Sequence, residues 1–180
     1  AIPLSLLAAT VTLYLLGEER RIVGISGFTV RPPRARREKP KVSAFTSAKI
    51  DRIVALEPDL VLGCSDLQAD IAAELIRTGI EVHVFNHRSV AEILRTVAVL
   101  GGMIGCEAKA ATLVNRLEAG IESVRARADA LPRRPKVYFE EWDEPQISAI
   151  RWVSELIGIA GGDDVFPELA AEPLGKGRII

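Results

Sequence analysis

KVSAFTSAKIDRIVALEPDLVLG, residues 41–63, decides the fold. It opens on a short β-prone segment at residues 42–44. Thr46 or Ser47 then offers a hydroxyl to cap a helix. Ile50, Ile53 and Val54 follow at the i, i+3, i+4 spacing of a single apolar helix face. Pro58 stops that helix, and residues 60–64 form a continuous apolar run. Such a run is the pattern of a strand covered on both faces of a parallel sheet. Strand, helix and strand in this order make half of a parallel α/β unit.

The same grammar extends in both directions. Upstream, residues 22–26 are a short β-branched run, and residues 31–41, RPPRARREKPK, carry three prolines and a dense charge, predicting an exposed loop. Downstream, Ser65 and Gln68 have capping-box spacing, Gly79 ends that helix, and residues 81–86 form the next strand. Ser89 and Glu92 repeat the capping box. Alternation of this kind predicts a doubly wound, Rossmann-like parallel sheet.

The alternation then stops. Residues 90–104 and 107–130 read as consecutive helices separated near Gly101, Gly102 and Gly105. In the second, Val114, Leu117, Ile121 and Val124 make an apolar stripe. A helix of that length spans roughly 36 Å, enough to run the side of one domain and reach another. Pro132 stops it. A strand at 136–140, an acidic turn, and a helix capped by Ser148 and closed by Gly161 and Gly162 complete the pattern. The predicted organisation is an N-terminal α/β lobe at 1–88, a helical connector at 89–131, and the start of a C-terminal α/β lobe at 132–180. One strand cannot make a sheet, so the second lobe either borrows from a partner or continues past residue 180.

Composition narrows the function. With 48% hydrophobic residues in 180, a sizeable core can be buried. A net charge of −1 argues against a generic nucleic-acid binder. Cys64 and Cys106 form no CxxC and no disulfide framework. Residues 4–16, LSLLAATVTLYLL, read as a buried first helix ended by Gly17. A signal-peptide core fits by length, yet no basic segment precedes it here and no small-residue cleavage site follows. The run is shorter than the roughly 20 residues that span a bilayer. Neither glycine cluster, at 24–27 or 102–105, has the phosphate-loop pattern.

GISGFTVRPPRA at 24–35, the stretch 41–63, and VYFEEWDEPQISAIRWVSELIGIAGGDDVFPEL at 137–169 occur in an order that resembles one family. They are similar to the periplasmic binding proteins that deliver cobalamin and ferric siderophores to ABC importers. The resemblance covers nearly the whole chain. It implies two α/β lobes joined by a rigid helix, capture of a metal chelate in an interlobe cleft, and docking on a membrane permease. Cobalamin is the first expectation and a siderophore the next. It implies no catalytic residue, no resident cofactor or metal, and a periplasmic or lipid-anchored location. Two departures stand out. Val11 and Thr12 lie where the family carries an acidic residue in its first helix, and the family's longer first strand and most of its second lobe have no counterpart in these residues.

In parallel sheets, ligands sit beyond the carboxyl ends of strands. Here those ends are Ser26-Gly27-Phe28, Ala44-Phe45, Cys64-Ser65, Asn86-His87 and Glu141-Trp142. The resemblance places an aromatic cleft residue at Phe45, a ligand-facing residue at Arg31, and a second wall at Glu141, Trp142 and Ile147. The ligand-binding set is therefore Phe28, Arg31, Phe45, Ser65, His87, Glu141, Trp142 and Ile147. The resemblance also gives Asp51 the place of a glutamate that docks on permease arginines; a plain solvated aspartate is the other reading. Core packing remains the alternative for each Phe and is preferred for Trp152, and His83 reads as a packed or surface strand histidine rather than a ligand. The carboxylates Glu140, Glu141, Asp143 and Glu144 suit a hard cation, but an exposed acidic turn explains them as well. Two other functions stay open: a Rossmann-like enzyme domain acting on a corrinoid or tetrapyrrole, and a truncated homologue that binds weakly and self-associates.

Overall fold

The computed structural model describes residues 4–180. The chain divides into two compact units. One comprises residues 4–87 with 99–110, the other residues 88–98 with 111–180. The chain passes between them within α5 (Val90–Met103) and within α6 (Glu107–Asp129). The mixed α/β class with parallel pairing is the one the sequence predicts.

In the first unit, α1 (Leu4–Leu15) ends at Gly17, whose φ of +74° needs no Cβ. Short strands follow: β1 (Ile25–Ser26), β2 (Lys41–Ser43), β3 (Val61–Cys64) and β4 (Val82–Phe85). β1 pairs with β2, and β3 with β4, both parallel, as two separate two-stranded sheets. Helices α2 (Ala35–Glu38), α3 (Ile50–Val54) and α4 (Ala69–Arg77) connect them. Ala9, Phe85 and Leu100 form one core cluster, and Ile22, Ile25 and Ala35 another. A cavity of about 170 Å3 is lined by residues of both sheets, among them Ile25, Val42 and Leu62, and by Leu13, Ile53 and Leu56.

Four local expectations are corrected here. The segment 31–41 is not all loop: its prolines stand at 32, 33 and 40, leaving room for the single turn α2, which buries Ala35 completely while its arginines face out. Neither Thr46 nor Ser47 caps α3. Those residues are spent in a tight turn, where the Ala44 N–H donates to the Ser47 carbonyl, and Lys49 takes the cap position without a side-chain bond. Of the expected apolar face, Ile53 is buried at 6% exposed, Ile50 is half-buried and Val54 is 41% exposed. Ser65 and Gln68 make no reciprocal capping box: Ser65 Oγ accepts from the Leu67 N–H, and the Gln68 amide turns elsewhere.

In the second unit, the Ser89–Glu92 box forms as predicted. Glu92 Oε2 accepts from the N–H of Arg88 at 2.6 Å and of Ser89 at 3.0 Å, and Ser89 Oγ accepts from the Glu92 N–H at 3.2 Å. The region after α6 holds four short strands rather than one. β5 (Lys136–Val137) pairs parallel with β8 (Asp163–Asp164), and β6 (Glu140–Asp143) forms an antiparallel hairpin with β7 (Gln146–Ser148). The acidic run is thus hairpin, not turn, and Glu141 and Trp142 lie inside a strand instead of at its end. Ser148 is buried in β7, where its hydroxyl donates to the Arg178 carbonyl, so it cannot cap α7 (Arg151–Ile159), which Ile150 precedes. Gly161, at φ +83°, closes that helix.

Candidate functional site

The candidate residues of the first unit cluster at the rim formed by the carboxyl ends of its parallel strands. Each end is fastened to the next. The Gly27 N–H, just past β1, donates to the Ser43 carbonyl of β2 at 2.8 Å. The Ser65 N–H, just past β3, donates to the Phe85 carbonyl of β4 at 2.8 Å. Between these two pairs sits Gln68, 6% exposed. Its Oε1 accepts from the Cys64 N–H and its Nε2 donates to the Phe45 carbonyl, both at 2.7 Å. One side chain thus joins the end of β3 to the turn after β2, and brings the backbones of Phe45 and Ser65 to a single place. Sequence reasoning gave Gln68 a capping role and missed this one. The signal available was only a polar residue at a position that had to be buried.

Ser65 holds φ at +65°, a conformation that costs a residue with a Cβ about 1 kcal/mol or more. Its neighbours compensate through Ser65 Oγ, which donates to Asp66 Oδ1 and accepts from the Leu67 N–H. Phe28 is 48% exposed on a loop that Arg36 clamps from below, with Nη1 donating to the carbonyls of Gly27 and Thr29. The basic segment is therefore largely occupied with its own structure. Arg34 pairs with Glu19 at 2.7 Å and stacks 4.6 Å over the Tyr14 ring, and Lys41 Nζ donates to the Arg36 carbonyl. Arg31 is exposed beside this clamp, and Phe45 and His87 are half-buried on the rim. Asp51 lies exposed in the first turn of α3. The cavity described above is lined by none of these residues.

The second unit carries the other three candidates on the β6–β7 hairpin. Trp142 and Ile147 are cross-strand partners and share one face. Trp142 is 51% exposed, and its indole N–H donates to the Glu144 carbonyl at 3.0 Å, which leaves the ring face open. Glu141, the next residue along the strand, is taken up by Arg178. Glu140 accepts from the Tyr138 hydroxyl at 2.9 Å. Among the described residues no three His, Cys, Asp or Glu side chains are grouped to hold a metal ion.

The model of the periplasmic binding protein family matches residues 7–180. The chain belongs to that family. It is 28% identical over 181 residues to a cobalamin-binding protein of Halobacterium salinarum, a match covering 92% of this chain and 48% of that protein. The chain thus spans about half the length of this curated relative. Among solved structures, the periplasmic heme-binding protein RhuT of Roseiflexus superposes with a TM-score of 0.78 at 20% identity, over 89% of this chain and 64% of that one. The periplasmic vitamin B12 binding protein BtuF of Vibrio cholerae gives 0.76 at 19% identity, over 94% and 66%. At such identities the structural likeness establishes the fold. The family and these relatives are binding proteins rather than enzymes.

Proposed function

We propose that this chain belongs to the solute-capturing component of an ABC importer and takes up a metal chelate, a corrinoid first and a ferric siderophore next. The carrying observation is the family match across residues 7–180, supported by the relative named for cobalamin binding. Site chemistry agrees. A corrinoid or siderophore is large, flat-faced and partly apolar, with amide or carboxylate edges. It calls for open aromatic faces with a few polar groups. Phe28 and Phe45 with Ser65, Arg31 and His87 offer that on one unit, and Trp142 with Ile147 on the other. The chelate is cargo, and the chain needs no cofactor of its own.

Asp51 supplies an exposed carboxylate for the permease, where charge gives register and encounter rate more than affinity. The corresponding location is periplasmic or lipid-anchored at the cell surface. The test is calorimetric titration of the chain with cyanocobalamin, hemin and ferrichrome. Saturable one-to-one binding, with the ligand recovered unchanged, is the expected result. Binding of none of the three, or conversion of the ligand, overturns the reading.

A further inference from the structure

We propose that Gln68 is a positioning residue for ligand capture, its amide holding the turn that carries Phe45 against the end of β3 beside Ser65. The inference rests on the functional reading above. It starts from the two parallel pairs, which are separate sheets. Strands hydrogen-bonded side by side hold their ends in register; strands in different sheets do not. At this rim the Gln68 amide supplies the missing connection, donor to one sheet's end and acceptor from the other.

Both bonds are short, and the group is nearly water-free, so each is stronger than it would be at the surface. Removing one partner also leaves a buried amide or carbonyl unsatisfied. The glycine at position 63 is part of the same fitting: a Cβ there would stand 3.3 Å from Gln68 Oε1. The residue does not touch ligand in this scheme. It acts through Phe45, whose carbonyl it fixes, so that the point from which the ring leaves the 44–47 turn is held in place.

Gln68→Glu keeps the acceptor for the Cys64 N–H but removes the donor for the Phe45 carbonyl. Gln68→Met removes both and keeps the side-chain length. Binding of cyanocobalamin and hemin is measured by calorimetry for wild type, the two variants, Phe45→Ala, and each Gln68 change combined with Phe45→Ala. Tenfold or greater loss is expected for the single changes. The double variants should lose no more than the worse single, because residues that act as one unit are not additive. Binding by Gln68→Glu and Gln68→Met within twofold of wild type overturns the inference, as do losses that multiply in the doubles. Wild type that binds neither probe overturns the functional reading and this inference with it; a failed latch alone leaves wild-type binding intact.

Discussion

Arg178 Nη2 donates to Glu141 Oε2 at 2.5 Å, and that arginine is only 1% exposed. Its Nε and Nη1 donate to the carbonyls of Ser148 and Glu172. A cation so thoroughly enclosed fastens the β6–β7 hairpin to the chain's last residues.

Removing one partner of such a pair strands the other. Arg178→Met should cost about 3–5 kcal/mol in urea unfolding. Combining it with Glu141→Leu should recover part of that loss, since no lone carboxylate then remains buried. A single-variant cost below about 1 kcal/mol would show the pair to be incidental.

Gly101 and Gly102 are adjacent in α5 yet should respond oppositely to alanine. A Cβ on Gly101 would lie 2.2 Å from the Ala110 Cβ, whereas a Cβ on Gly102 meets nothing within 4 Å. Gly101→Ala is expected to destabilise by about 1–3 kcal/mol through overpacking, and Gly102→Ala to stabilise by roughly 0.5–1 kcal/mol through helix propensity. Thermal unfolding of the two variants decides it, and the same sign for both would refute the close approach.

The Glu92 carboxyl is held below the usual carboxylate range, chiefly by the Arg88 N–H and further by Ser89, with burial opposing. A group whose folded pKa is depressed contributes stability above its unfolded pKa, and that contribution is lost as pH falls through the folded value. Glu92→Ala should therefore cost about 1 kcal/mol near pH 7. The gap from wild type should shrink below the ordinary carboxylate range, and a constant gap down to pH 3 would contradict the assignment.

Burial, and then the neighbouring Glu18 carboxylate, push the Cys106 thiol up, with Lys109 opposing. Iodoacetamide at pH 8 should alkylate it more slowly than an unperturbed thiol. Glu18→Gln should raise the rate, because the carboxylate that disfavours the thiolate is then neutral. Peptide-resolved mass spectrometry gives the rate, and no change in Glu18→Gln would exclude the carboxylate's part.

Trp142 tests ligand contact apart from folding. Because its ring is half exposed, Trp142→Ala should alter stability by no more than about 0.5 kcal/mol. Under the proposed function it should weaken chelate binding at least tenfold, about 1.4 kcal/mol. Asp51→Arg should leave that affinity untouched and abolish transport in a reconstituted importer.

Features written in neighbouring residues were legible beforehand. The Ser89–Glu92 box closes within four residues, so its partners are set by helical spacing alone. The glycines at 17, 79 and 161 hold positive φ just past helix ends, a need visible wherever a periodic apolar pattern stops. Helices α5 and α6 followed from periodicity, and the parallel pairing of β3 with β4 from an apolar run too continuous for a half-solvated strand.

The polar side chains at Ser148, Gln68 and Glu141 were another matter. Ser148 and Gln68 were assigned local capping roles and Glu141 a place on the ligand-facing wall, and each instead meets a group 23 to 37 residues away. A hydroxyl, amide or carboxylate accepts almost any donor within reach, so spacing along the chain does not select its partner. The sequence by itself determined the longer helices and the parallel strands of the first unit, because backbone periodicity is a local property, whereas the single turn α2 and the short strands β6, β7 and β8 carry too few residues to show one. Tertiary structure decided which buried polar group is satisfied by which, because burial makes an unpaired donor or acceptor costly only after the segments have met.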